Sequence, residues 1–216
     1  MLVAAKHAYG ARIEGSDGRA GTLYDILFDD TSWSVRHLVV SVDRWFHGRQ
    51  VLIEPGLVRR ADWPNQQLLV PWTKEQIRQS PPAEADLSSD ERRAREAAQM
   101  LVWEAYWAGV LQSRGDEGGD ANLHSTKMLS GLHIHCVDGM LGHVDDFIID
   151  DQTWQVRGVI VETRNWWPGK HVFVELHWID SIHWEDGQIY LKLTRENILK
   201  RPAYDGNVPQ EDLLRV

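Results

Sequence analysis

The sequence predicts a mainly β protein made of two small tandem β-barrels joined by an amphipathic α-helix. The first observation is an internal repeat. Asp17-Gly18 and Asp138-Gly139 open two segments that match without a gap through Asp29-Asp30/Asp150-Asp151, Trp33/Trp154, Trp45/Trp166, Trp63/Trp184 and Pro81/Pro202. Roughly a third of aligned positions are identical, and self-similarity of this length outranks any single motif as fold evidence. The second observation is that each copy is punctuated into about six short strands and one short helix, a pattern that closes more readily into a small barrel than into an open sheet. The third is a helix-forming stretch between the copies, Ser88 to Leu111, followed by the Gly- and Asp-rich residues 113–122. The expected division is residues 1–81 as domain 1, residues 82–122 as helical connector and linker, and residues 123–216 as domain 2.

Within a copy, strands end at Asp17-Gly18 and Asp138-Gly139, dipeptides that signal tight turns. Second strands run Gly21 to Phe28 and Gly142 to Ile149 and stop at paired aspartates, which stabilise turns by accepting from their own downstream backbone. The β-branched, apolar runs Trp33 to Val42 and Trp154 to Thr163 form the third strands, which makes Trp33 and Trp154 expected core residues. Fourth strands cover Val51 to Ile53 and Val172 to Val174, and two shorter ones flank the turns at Asn65 and Asp186-Gly187. Thr73 and Thr194 are helix N-caps. Gln76 can complete a capping box, Asn197 does so less well, and Pro81 and Pro202 end the helices. In the connector, Ser88 and Glu91 fit a second capping box. Ala94, Ala97, Ala98, Leu101, Ala105 and Ala108 form one apolar face and Met100, Trp103 and Trp107 another.

Composition narrows the function. The net charge of −9 is carried by residues 82–216, while residues 1–81 are near balance. No clustered Lys/Arg stripe offers the counterion release that drives nucleic-acid binding, so a nucleic-acid partner is disfavoured. The single Cys136 cannot form an internal disulfide, no apolar run approaches the ~20 residues of a membrane span, and the expected location is the cytoplasm. No phosphate loop, dinucleotide fingerprint, nucleophile elbow or paired-His metalloprotease motif stands in the chain, which points away from an enzyme.

The segments "DGRAGTLYDILFDD" and "DGMLGHVDDFIIDD", Trp33 and Trp154, "GRQVLI" and "GKHVFV", and "TKEQIRQSP" together resemble the PRC-barrel family. Such barrels occur in the cytoplasmic part of the photosynthetic reaction-centre H subunit, in a bacterial ribosome-maturation factor, and in many bacterial proteins of unknown role, which this chain resembles most. The resemblance covers both copies. It implies a non-catalytic, cytoplasmic protein-binding or assembly module, with docking at a membrane complex such as a reaction centre as one form and peripheral membrane association through a partner. A ribosome- or RNA-associated factor and a small-ligand or metal-binding regulator are the alternatives.

Four aromatic residues are the candidate interface: Trp45 and Phe46 in the loop "DRWFHGRQ", and Trp166 and Trp167 in "RNWWPGKH". Exposed aromatics on protruding loops anchor interfaces, either to an unidentified protein partner or between copies of the chain; packing within the chain is the other reading. His133 and His135 share a strand face while Cys136 points to the other. Zinc needs about four converging ligands, and His171, His177 and His183 are unplaced in sequence, so the expectation is no metal, no cofactor and no catalytic residue.

Overall fold

The computed structural model describes residues 1–42, 49–82, 122–163, 169–183 and 186–206. The expected connector helix lies outside the described residues. The chain begins with β1 (Leu2–Ala4) and the single-turn α1 (Ala5–Ala8). The first repeat follows as β2 (Arg12–Gly15), β3 (Gly18–Asp29), β4 (Val35–Ser41), β5 (Gln50–Ile53), β6 (Arg60–Asp62), β7 (Gln67–Leu69) and α2 (Lys74–Arg78). Then β8 (Leu123–Ser125) precedes the second repeat, which comprises β9 (His133–Cys136), β10 (Gly139–Asp150), β11 (Gln155–Thr163), β12 (Lys170–Glu175), β13 (Ile179–His183), β14 (Gln188–Leu191) and α3 (Arg195–Leu199). The protein is mainly β, and the described helices reach at most five residues.

Each repeat builds the same sheet. The first has strand order β5-β4-β3-β2-β7-β6 and the second β12-β11-β10-β9-β14-β13. Pairing is antiparallel except for β2 with β7 and β9 with β14. Six strands per copy is the number the punctuation predicts. Among the described residues the strand order does not return to its start, so the sheets are open paths by pairing where closed barrels were expected. The sequence also conceals the seventh strand of each sheet.

That seventh strand is exchanged. β8, which precedes the second repeat, pairs with β3 of the first through Leu27↔Ser125, Phe28↔His124 and Asp29↔Leu123. β1, which precedes the first repeat, pairs with β10 of the second through Leu2↔Asp150, Val3↔Ile149 and Ala4↔Ile148. The compact units are therefore residues 8–128 and residues 1–7 with 129–216. These boundaries differ from the expected 1–81 and 123–216 at both N-terminal edges. Room for the added strand comes from the length of β3 and β10, twelve residues each. One edge of β10 pairs with β9 over its first half, leaving its second half for β1.

Corresponding residues fill corresponding places in the two units. In one, Leu27, Val39, Leu52 and the incoming Leu123 cluster on one sheet face, with Tyr24 and Met128 packed against them. In the other, Ile148, Ile160 and Phe173 cluster with Leu2, Ala4 and Tyr204. The opposite faces bury Ile13, Leu38, Val40, Val51, Leu68 and Ile77, and Ile134, Val159, Val161, Val172, Val174, Ile189 and Ile198. Alternation along a strand sends successive side chains to opposite faces, and covering both faces explains the nearly continuous apolar runs of β4 and β11.

Gly21 and Gly142 are set by close approach. A Cβ on Gly142 would lie 1.9 Å from the Glu162 carbonyl oxygen, and one on Gly21 2.4 Å from that of Ser41. Two further expectations meet the structure. The Thr73–Gln76 capping box forms with both reciprocal bonds, whereas Thr194 accepts only from the Asn197 amide. Trp33 and Trp154 are half-buried turn residues with φ of 55° and 53°, not core; among the described residues the buried tryptophans are Trp63 and Trp178.

Candidate functional site

The aspartates that the sequence marks as turn formers divide into two kinds. Asp29 Oδ1 accepts from the amides of Thr31 and Ser32, and Asp150 Oδ1 from that of Gln152, as turn residues do. The second of each pair meets an incoming strand instead. Asp30 donates its amide to the Asn122 carbonyl and contacts His124 Nε2 at 3.0 Å, while Asp151 donates its amide to the Met1 carbonyl. Asp17 and Asp138 each accept from the first amide of the repeat's helix, Lys74 and Arg195, at 2.8 Å.

More telling are Asp25 and Asp146, equivalent residues buried within β3 and β10. Asp25 accepts from Ser125 Oγ at 2.5 Å, Thr126 Oγ1 at 3.2 Å and the Lys127 amide at 3.4 Å. Asp146 accepts from the Lys6 amide at 3.1 Å. Each carboxylate thus holds the chain at or just after the end of an exchanged strand. Burial pushes both carboxyls above their usual range. The two lysines then diverge: Lys127 Nζ sits 3.6 Å from the Tyr24 ring centroid, whereas Lys6 Nζ pairs with Asp145 Oδ1 at 2.5 Å. These aspartates were legible only as two more shared positions in the repeat.

A pocket of about 580 Å³ opens in the second repeat where the start of β10, the end of β11, the start of β12 and α3 converge. Met140, Leu141 and Leu199 supply its apolar surface, and Asp138, Lys170, Arg195, Glu196 and Lys200 its charged surround. Those charges are engaged among themselves. Arg195 Nε lies 3.5 Å from Asp138 Oδ2 and Lys200 Nζ 2.7 Å from Glu196 Oε1. Lys170 Nζ donates to the Leu199 carbonyl at 2.9 Å and to that of Arg201, satisfying acceptors at the end of α3. Beside the pocket, Val137 on the β9–β10 turn is 67% exposed and Met140 38%. They are two of the four exposed large hydrophobics among the described residues. The equivalent residues of the first repeat are Ser16 for Val137, Arg19 for Met140 and Arg78 for Leu199. All three are polar or charged, so the apolar surface belongs to the second copy alone.

Residues 138–198 match the PRC-barrel domain. The chain contains a PRC-barrel domain. It spans β10 through most of α3 and supplies all of the pocket residues named above except Leu199 and Lys200. No curated protein sequence matches the chain. The first repeat shares the PRC domain's strand order.

Trp45, Phe46, Trp166 and Trp167, the sequence-derived interface candidates, lie outside the described residues. Of the histidines, His135 stacks on Tyr190 at 5.2 Å between ring centroids, with His183 on the same ring at 5.1 Å, while His133 is exposed. They do not converge as ligands. Burial pushes the Cys136 thiol up to about 11, so it is not poised as a thiolate. The sequence reading passed over Met140 and Leu199, because each looks ordinary until set against the arginine in the other copy. No described helix is long and apolar enough to cross a membrane.

Proposed function

We propose that the chain is a non-catalytic protein-binding or assembly module built on two copies of the PRC barrel, with the second copy as the docking copy. The observation that carries this reading is the apolar pocket flanked by Val137, Met140 and Leu199 where the first repeat has Ser16, Arg19 and Arg78. Presenting apolar side chains, two of them exposed and Leu199 half-buried, at three positions where a paralogous fold keeps polar ones costs solubility, and a partner that covers them offsets that cost. Because the surrounding charges are mutually paired, specificity rests on shape and apolar contact. The fitting partner is a protein segment that inserts one or two apolar side chains. Burying a Met or Leu side chain stabilises a complex by about 1.5–3 kcal/mol.

A cytoplasmic location, and docking at a membrane complex through a partner, are consistent with this reading. A ribosome- or RNA-associated role has weaker support, because the acidic balance falls on the repeat that carries the pocket. The experiment is affinity capture by the full chain followed by reconstitution with the purified candidate partner. Met140→Glu and Leu199→Glu should each weaken the reconstituted complex at least tenfold, whereas Arg19→Glu in the first repeat should leave it intact. Equal sensitivity at position 19, or capture that survives both pocket substitutions and is lost on nuclease treatment, contradicts the proposal.

A further inference from the structure

We propose that Asp145, Glu162 and His171 form a binding site for a zinc-class divalent cation, with His143 as the residue that orients Glu162. The three side chains lie on β10, β11 and β12 of the PRC domain and bring one ligand atom each to within 4.8 Å of one another.

The placement follows from the sheet. His143 is paired across β10–β11 with Glu162, and Glu162 across β11–β12 with His171, so the three form one row over adjacent strands. Cross-strand neighbours share a face. Asp145 falls at the register shift between Val144 and Asp146, and such bulges re-aim a side chain. His171 Nε2 lies 3.6 Å from Asp145 Oδ2, and His143 Nε2 3.1 Å from Glu162 Oε2. A zinc ion bound at 2.0–2.2 Å holds tetrahedral ligand atoms about 3.3 Å apart. The existing spacing is therefore close at one pair and within a side-chain rotation at the others. All three ligands are half-buried and keep the freedom to close.

Two independent features favour a cation over a set of surface ion pairs. First, the ligating set is confined to the copy that carries it: the same row in the first repeat reads Thr22, Ser41 and Gln50, and the bulge residue is Tyr24. The backbone is common to both sheets, and the His/Glu/Asp chemistry arose at every member of the row in one of them. Second, His143 Nδ1 is buried without a hydrogen-bond partner among the described residues while its Nε2 faces the Glu162 carboxylate. A histidine fixing a ligating carboxylate is the outer partner that metal sites use to orient their ligands. Lys6 neutralises part of the negative charge through Asp145, leaving room for one divalent ion rather than two. The mixed imidazole and carboxylate donor set suits zinc better than calcium or magnesium. The ligands occupy alternate positions to Thr163 and Lys170 of the pocket, so the ion would fasten the ends of the strands whose other residues line it.

The test is zinc titration of the untagged full chain by competition with a chromophoric chelator, repeated with cobalt(II) for its ligand-field absorption. One equivalent bound at micromolar affinity or tighter is expected. His171→Ala, Asp145→Asn and Glu162→Gln should each raise Kd at least tenfold, and His143→Ala by about tenfold, the usual effect of losing an outer partner. The His133→Ala/His135→Ala double variant should bind as wild type does. Melting curves without zinc identify any variant that fails to fold, and the three ligand variants are independent of one another. Absence of wild-type binding at 100-fold excess zinc, or binding lost with His133 and His135 but kept in His171→Ala, overturns the site. Neither result bears on the pocket, whose test uses Met140 and Leu199.

Discussion

The backbone N–H of Lys6 donates to Oδ1 of Asp146 at 3.1 Å, although the two residues are 140 apart in sequence. Its counterpart joins Lys127 to Asp25 at 3.4 Å. A buried carboxylate in the long central strand of each repeat thus receives the chain just after a strand exchanged from the other side of the duplication. Burying an acceptor without donors costs about 1–3 kcal/mol, so the carboxylate and the exchanged segment depend on each other.

The first prediction concerns pH. Burial raises the Asp146 carboxyl above its usual range, so the folded chain holds this proton more tightly than the unfolded one. Its contribution to stability is fully present below the unfolded value of about 4, and is lost as pH rises through the raised folded value. Asp146→Asn keeps an acceptor for Lys6 and removes the titration. Groups with lowered values, Asp29, Asp138 and Asp150, are common to both proteins and cancel in the comparison. The unfolding free energy of wild type minus variant, from urea melts between pH 4 and 7, should therefore fall by about 1.4 kcal/mol for each unit of elevation. A difference that rises with pH would refute the assignment.

A second prediction follows from the exchanged strands. Leu123 is 4% exposed and completes the cluster of Leu27, Val39 and Leu52. Leu123→Ala should cost about 2–4 kcal/mol, as core truncations do. The half-buried Leu2 should cost less. Denaturant melts of the two variants check the order, and a neutral Leu123→Ala would mean that β8 is an ornament on the sheet.

Backbone crowding gives the third. Gly142→Ala forces a Cβ onto the Glu162 carbonyl, whereas Gly56→Ala meets nothing within 4 Å among the described residues and needs no unusual φ. The first should lower the melting temperature by ten degrees or more for a loss of about 3 kcal/mol, and the second should change it little. Equal effects at the two sites would contradict the close strand approach.

The tryptophans supply the fourth. Trp63 is 3% exposed, so Trp63→Ala should cost about 3–5 kcal/mol. Trp33→Ala should cost clearly less, because the side chain is half-buried, stacked on Phe28 at 5.4 Å, and truncation does not restore a favourable φ. Similar losses in calorimetry would return Trp33 to the core.

The duplication and its turn signals made the six strands of each copy legible, and the chemistry of Thr73 and Gln76 made the capping box legible down to its weaker echo at Asn197. The exchanged strands escaped notice because three-residue segments such as Leu2–Ala4 carry too little periodicity to register, although Lys6 and Lys127 extend the repeat upstream to them. Trp33 misled because a large aromatic conserved between copies reads as core, while its left-handed turn is invisible without coordinates. The proposed cation site is hidden from the sequence for a related reason. His133 and His135 stand out by adjacency, whereas Asp145, Glu162 and His171 meet only when three strands are laid side by side. Comparing the copies for differences as well as identities would have found Met140 and Leu199, each opposite an arginine.

The most direct test of the central claim, that the second repeat is the docking copy, is site-specific photo-crosslinking. A benzophenone side chain placed at Val137 is compared with one at its equivalent Ser16, both exposed turn positions, in the full chain bound to its reconstituted partner. The account predicts a partner adduct from position 137, lost when Leu199→Glu is added, and little or none from position 16. Adducts of equal yield from both positions, or from position 16 alone, would contradict it.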